Sequence, residues 1–318
     1  MRWTRWALPA LAALLCGCSA APPAGQAYGL RPSSVPASRY SQPPASGASA
    51  TAGAAPSAAA PSASRQAGSA SGRNATAPPI LPAAARGGHE QLAPTAAGIL
   101  HGKVILVDPG HNGGNIDAAA VINKLIWNGR ESETCDTTGT RTDAGYTEAL
   151  FNWNVARYLT ADLRAEGATV VLTRTSDTGV GSCVTERAAI GNAARANAAV
   201  SIHADGGPPG GRGFAILEPV ADGINDAIIG PSAGLGADLR TAFATRTGEP
   251  VSTYDGVNGI QPRSDLAGIN LSTVPKVFIE CANMRNAVDA ALVTSPRWQA
   301  QAARAIAAGL SAFLTGAG

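Results

Sequence analysis

The chain has only four histidines, at positions 89, 101, 111 and 203. Two of them share a local setting. His111 and His203 each follow a short apolar, β-branched run and precede a glycine-rich turn, in VILVDPGHNGG and VSIHADGG. Glu280 closes a third run of the same kind, KVFIE. An imidazole or a carboxylate at a strand end, next to glycines that leave space around it, is well placed to hold a metal or move a proton. A fourth polar group lies on a helix. Residues 147–165 have apolar side chains at 151, 155, 158, 159 and 163, which is helical spacing. Thr147 suits the N-cap and Gly167 the stop. Glu148, in the first turn, shares a face with Phe151, Asn152, Val155 and Leu159. That face must pack, and a carboxylate among core positions needs a partner.

Two histidines and one carboxylate form a zinc-binding set that leaves a fourth position open to water. On this reading His111, Glu148 and His203 bind Zn2+, and Glu280 is a free general base. Each residue also has a plainer reading. A histidine after a strand can be an ordinary satisfied polar group. Glu148 can be favoured by the helix dipole. Glu280 can cap a turn or pair with Arg285. The spacings are long and there is no HExxH-type signature, so the pattern alone leaves both readings open.

The elements that would carry these residues alternate. Strands are predicted at 104–107, 168–172, 200–202, 214–217 and 277–279. Helices are predicted at 147–165, 185–196 and 235–245. A last helix, or pair of helices, covers 287–314 with a break near Ser295-Pro296. The alternation implies an α/β fold: a single domain with a largely parallel twisted sheet flanked by helices. In such sheets, sites form beyond the carboxyl ends of the strands. Three strands would therefore bring His111, His203 and Glu280 to one edge.

Composition sets the domain limits. Of 318 residues, 14% are charged, and between 21 and 90 Ala, Ser, Pro and Gly fill 51 of 70 positions. Such a stretch buries too little apolar surface to offset its ordering entropy. The expected organisation is a signal segment over 1–18, a disordered linker over 19–98 and one folded domain over 99–318. Residues 101–318 hold 17 Lys and Arg against 21 Asp and Glu. This mildly acidic balance argues against a nucleic-acid partner; a monomer is expected. In 1–18, Arg2 and Arg5 precede an apolar run from Ala7 to Leu15, too short for a mature membrane span and typical of a secretory signal. Leu15-Cys16-Gly17-Cys18 resembles a bacterial lipobox, in which Cys18 is lipidated; an ordinary signal peptide is the alternative. A lipidated chain would be exported and held at a membrane only by that anchor, with the linker as a tether of roughly 50 Å r.m.s. span. Export also permits disulfides. Cys135 lies in a Thr/Asp/Gly-rich loop and Cys183 after a Gly-Ser turn, so these two are expected to pair. Cys281 follows an apolar strand and reads as a buried small residue.

DPGHNGGN, the helical glutamate in YTEALFNWNVARYL, the run TERAAIGNAARANAAVSIHAD and PKVFIECANMRN occur in the order and spacing of the amidase-3 family. The resemblance runs from about residue 103 to 314. Members of that family are zinc-dependent N-acetylmuramoyl-L-alanine amidases, and the resemblance implies peptidoglycan or muropeptides as substrate and the cell envelope or periplasm as location. It places the zinc ligands at His111, Glu148 and His203 and the catalytic carboxylate at Glu280. Two departures stand out: Asp205 where the family usually has Asn, and Cys281-Ala282 where it often has Gly-Phe. Residues 123–145 are long for their connection and resemble the flap of actinobacterial members. An envelope zinc peptidase cutting within the stem peptide and a non-catalytic wall-binding regulator are the alternatives. The second would need a broken metal set, and here all four positions are intact. A thiol enzyme centred on Cys281 is weaker, because neighbours along a strand face opposite ways.

Overall fold

The computed structural model describes residues 88–317. The signal-type segment, Cys18 and the linker as far as residue 87 lie outside them. The described chain runs β1 (Glu90–Leu92), β2 (Val104–Pro109), α1 (Ala119–Ile122), β3 (Leu125–Trp127), β4 (Ser132–Thr134), α2 (Glu148–Ala165), β5 (Thr169–Leu172) and α3 (Val184–Ala193). It continues through β6 (Ala198–Asp205), β7 (Ala215–Pro219), α4 (Ile229–Thr247), β8 (Ile260–Arg263), α5 (Ala267–Asn270), β9 (Lys276–Asn283), α6 (Ala287–Val293) and α7 (Pro296–Thr315).

Seven strands form one sheet in the order β1-β5-β2-β6-β9-β7-β8, and β3 and β4 form a separate hairpin. The four middle strands, β5, β2, β6 and β9, are mutually parallel. They are the apolar, β-branched runs seen in the sequence, as strands covered on both faces should be. The sheet as a whole is mixed, because β1 joins β5 and β7 joins β9 antiparallel. The main core lies on one face, where Ile105, Val107, Val200, Ile202, Val277 and Ile279 meet apolar side chains of α2, α4 and α7. Smaller clusters on the opposite face pack towards α3, around Leu106 and Val171, and towards α5, around Leu217 and Phe278.

The start of the folded region corrects the linker boundary. Residues 90–92 pair with β5 and Leu92 is buried, inside the stretch assigned to a disordered linker. The chain that follows is tied to the end of α2: Thr95 N donates to Arg164 O, and Leu100 N to Glu166 O. A three-residue edge strand needs only one buried side chain, so composition does not reveal it. Strand β8 was also absent from the sequence reading; its Pro262 is compatible with an edge position. Helix α4 starts six residues before its expected position, because Pro231 in its first turn loses no hydrogen bond. The break near Ser295-Pro296 is real: the Ser295 hydroxyl accepts from Trp298 N, with Pro296 in the first turn of α7.

Candidate metal centre

Thr147 caps α2, its hydroxyl accepting from Leu150 N, and so starts the helix at Glu148. The apolar face of α2 packs on the sheet and carries Glu148 in with it, leaving that residue 5% exposed. The carboxylate meets both histidines. Its Oε1 lies 2.9 Å from His203 Nδ1 and its Oε2 3.3 Å from His111 Nε2. Thr140 N also donates to Oε2 at 2.9 Å. One ligand atom from each of His111, Glu148 and His203 falls within 4.8 Å of the others. Gly110 makes this approach possible: a Cβ there would sit 2.1 Å from the His203 ring.

His203 lies within β6, and its ring stacks on Phe278 at 5.2 Å. His111 stands in the loop after β2 with a left-handed backbone, φ +57°. Side chains hold it there. Arg187 donates to His111 O at 2.9 Å, to Pro109 O at 2.8 Å and to Asp108 Oδ1 at 2.8 Å. Arg174 donates to Pro109 O at 3.0 Å and to Ala149 O at 2.7 Å. Asp136 Oδ1 lies 3.2 Å from His111 Nδ1. Beneath them, buried Asp108 also accepts from Ser201, Thr173 and Lys276. Burial would raise the Asp108 pKa, but Lys276 and Arg187 hold it far below the usual carboxylate range.

In register with His203 on the neighbouring strand is Glu280. Its Oε2 is buried without a hydrogen-bond partner among the described residues. Burial, then the charges of Asp205 and Glu148, push its pKa well above normal. Arg285 does not pair with it, but instead meets Asp143 at 2.8 Å. Cys281 turns to the other face and belongs to the main core, which removes the thiol-enzyme reading. Cys135 and Cys183 are joined by a disulfide as expected. A cleft opens beside the two histidines, its wall including Glu133, Val184, Leu266 and Phe278.

The residues fit a divalent cation. The donors are two imidazoles and a carboxylate, the set suited to zinc. Burial alone would lower the His111 pKa, yet Glu148 and Asp136 carry it up to about 10. The same negative surroundings favour a metal ion. The sequence reading missed Asp108, Asp136, Arg174, Arg187 and Lys276, all within this network. Only Asp108, the first residue of the DPGH turn, carried a local signal.

The family model for N-acetylmuramoyl-L-alanine amidases named Amidase_3 matches residues 105–312. The chain is 41% identical over 214 residues to the N-acetylmuramoyl-L-alanine amidase Rv3717 of Mycobacterium tuberculosis, covering 67% of this chain and 87% of that protein. The crystal structure of the amidase Ami1 from Mycobacterium smegmatis superposes with a TM-score of 0.65 at 43% identity, covering 68% of this chain and 99% of that one. Apo Ami1 from Mycobacterium abscessus gives a TM-score of 0.64 at 39% identity, covering 67% and 99%. With its two histidines and a glutamate gathered at one sheet edge, the chain belongs to the Amidase_3 family of N-acetylmuramoyl-L-alanine amidases.

Proposed function

We propose that this protein hydrolyses the amide bond between the lactyl group of N-acetylmuramic acid and the L-alanine of the peptide stem, in peptidoglycan or its fragments. The observation that carries this is the joint presence, in a chain of this family, of the His111–Glu148–His203 cluster and the unpartnered Glu280 oxygen. His111, Glu148 and His203 would hold the zinc. When bound, zinc polarises the scissile carbonyl and acidifies water. Glu280 takes a proton from the attacking water as its oxygen adds to the carbonyl carbon. It then delivers that proton to the leaving nitrogen as the C–N bond breaks. Its buried oxygen without a hydrogen-bond partner among the described residues suits this relay, and its register with His203 on the neighbouring strand supports the role.

Export and lipidation at Cys18 complete the proposal, with residues 19–87 as the tether to a membrane. These positions lie outside the described residues. Among the described residues no helix is long and apolar enough to cross a membrane.

The test is mass spectrometry of muropeptides digested by the full chain, with and without a chelator. The expected products are free stem peptides beginning with L-alanine and sugar chains bearing the free lactyl acid, both abolished by chelation. Cuts within the stem peptide would mean an envelope peptidase instead. Glu280→Gln should keep about one zinc per chain and lose several orders of magnitude in rate. His111→Ala and His203→Ala should lose metal and activity together, and full zinc content in both would refute the ligand assignment.

A further inference from the structure

We infer that Asp136 is the positioning residue for His111, and that Arg187 and the Cys135–Cys183 bridge hold it in place; the inference rests on the zinc reading above. His111 faces Glu148 with Nε2, at 3.3 Å, and Asp136 with Nδ1, at 3.2 Å. A carboxylate accepting from Nδ1–H fixes the proton on that nitrogen. The Nε2 lone pair is then free, the ring is held in orientation and the imidazole becomes a better ligand.

Asp136 is itself held at both oxygens. Thr137 N donates to Oδ1 at 2.7 Å, Asn112 Nδ2 donates to Oδ2 at 2.9 Å, and Arg187 Nη2 lies 3.5 Å from Oδ2. The residue is 5% exposed. The preceding residue, Cys135, is bonded to Cys183 at the start of α3, and Val184 N donates to Cys135 O at 2.9 Å. The disulfide therefore fixes the backbone that presents the carboxylate, and Arg187, about one turn into α3, fixes its other oxygen. The Thr137 hydroxyl also lies 3.3 Å from His111 Nδ1, but it is neutral. His203 is held differently: its Nδ1 faces Glu148 at 2.9 Å and its ring stacks on Phe278.

The experiment measures zinc affinity of the full chain by competition with a chelator, together with the NMR signal of the His111 Nδ1–H proton. Asp136→Ala should bind zinc about 10–100-fold more weakly and lose the Nδ1–H signal. Asp136→Asn should restore that signal, since its amide oxygen still accepts, while binding zinc several-fold more weakly than wild type. Reducing the disulfide in the folded protein should weaken zinc binding in the same direction. A folded Asp136→Ala protein with affinity within about twofold of wild type overturns the inference alone. If that variant does not fold, Asp136→Asn decides, and wild-type affinity there overturns it. A wild-type chain that takes up no zinc overturns the functional reading, and this inference with it.

Discussion

His203 and His111 reach the same carboxylate by different routes. His203 sits in an eight-residue strand with parallel neighbours on both sides, and its ring rests on Phe278. The sheet ladder and one aromatic contact suffice to place it. His111 lies beyond the end of β2, in a backbone conformation that costs a non-glycine residue on the order of 1–3 kcal/mol. Its position depends on Arg187, Arg174 and Asp136, which come from three separate segments. Regular structure positions a side chain through backbone hydrogen bonds the fold makes anyway. A loop ligand needs a dedicated set of charges, and those charges must themselves be satisfied. The comparison predicts that the His111 half is the more fragile.

The strongest test is Arg187→Met. Arg187 is buried, bonded to Asp108 and 3.5 Å from Asp136. Removing it leaves two buried carboxylates short of positive charge and the carbonyls of Pro109 and His111 short of a donor. Breaking a buried ion pair from one side costs about 3–5 kcal/mol. Denaturant unfolding should show a loss of that size, accompanied by weaker zinc binding. The exposed Arg297→Met serves as control and should change stability by less than about 0.5 kcal/mol. Equal stability of the two variants would show that the charge network does not hold the loop.

Gly110→Ala comes next, because Gly110 is where the two halves touch. The added methyl would lie 2.1 Å from Cε1 and 2.2 Å from Nε2 of His203. The ring or the loop must move, at about 1–3 kcal/mol for overpacking. A displacement near 1 Å at a reacting centre costs on the order of 100-fold in rate. The expected result is a folded protein with kcat/KM down by about that factor. Near-normal activity would mean that the His203 ring is free to yield, against its assignment as the rigid half.

The same division governs what sequence reading recovers. The His203 half was legible: an apolar strand leading to a histidine, a second leading to a glutamate, and an amphipathic helix with a carboxylate on its buried face, although both strands run on past those residues, to Asp205 and Asn283. Periodicity reports these because the residues follow the repeat of their own element. His111 was legible as a residue but its support was not. Asp136 lies 25 positions away in a Thr-rich loop, and Lys276 meets Asp108 across 168 positions. Arg187 lies on an Ala-rich helix whose pattern does not mark it, yet it is 3% exposed. Contacts of this kind depend on the closed fold and leave no local repeat. Strand β1 was hidden for a related reason: its single buried leucine stands in a region dominated by small residues.

The smallest effect concerns the hairpin that leads into Asp136. Ala267 N donates to Glu133 Oε1 at 3.0 Å, which latches β4 to the start of α5. Burial raises the Glu133 pKa from the usual 4.5 to about 7, against the stabilising bond from Ala267 N and with help from Asp265 and Glu131. A carboxyl whose pKa is raised by folding contributes stability that is full below its unfolded value. That contribution is lost as pH rises through the folded value, here between about 4.5 and 7. At pH 8 the ionised, half-buried Glu133 therefore weakens the latch. Glu133→Gln keeps an oxygen for Ala267 N and never ionises. It should raise Tm at pH 8 by about 1–2 °C, a modest shift because the site is partly exposed to solvent. Near pH 4.5 the two proteins should melt together. A difference in Tm that is the same at both pH values would show that Glu133 does not titrate in the latch, and that the hairpin holds the His111 half without a pH-sensitive contact.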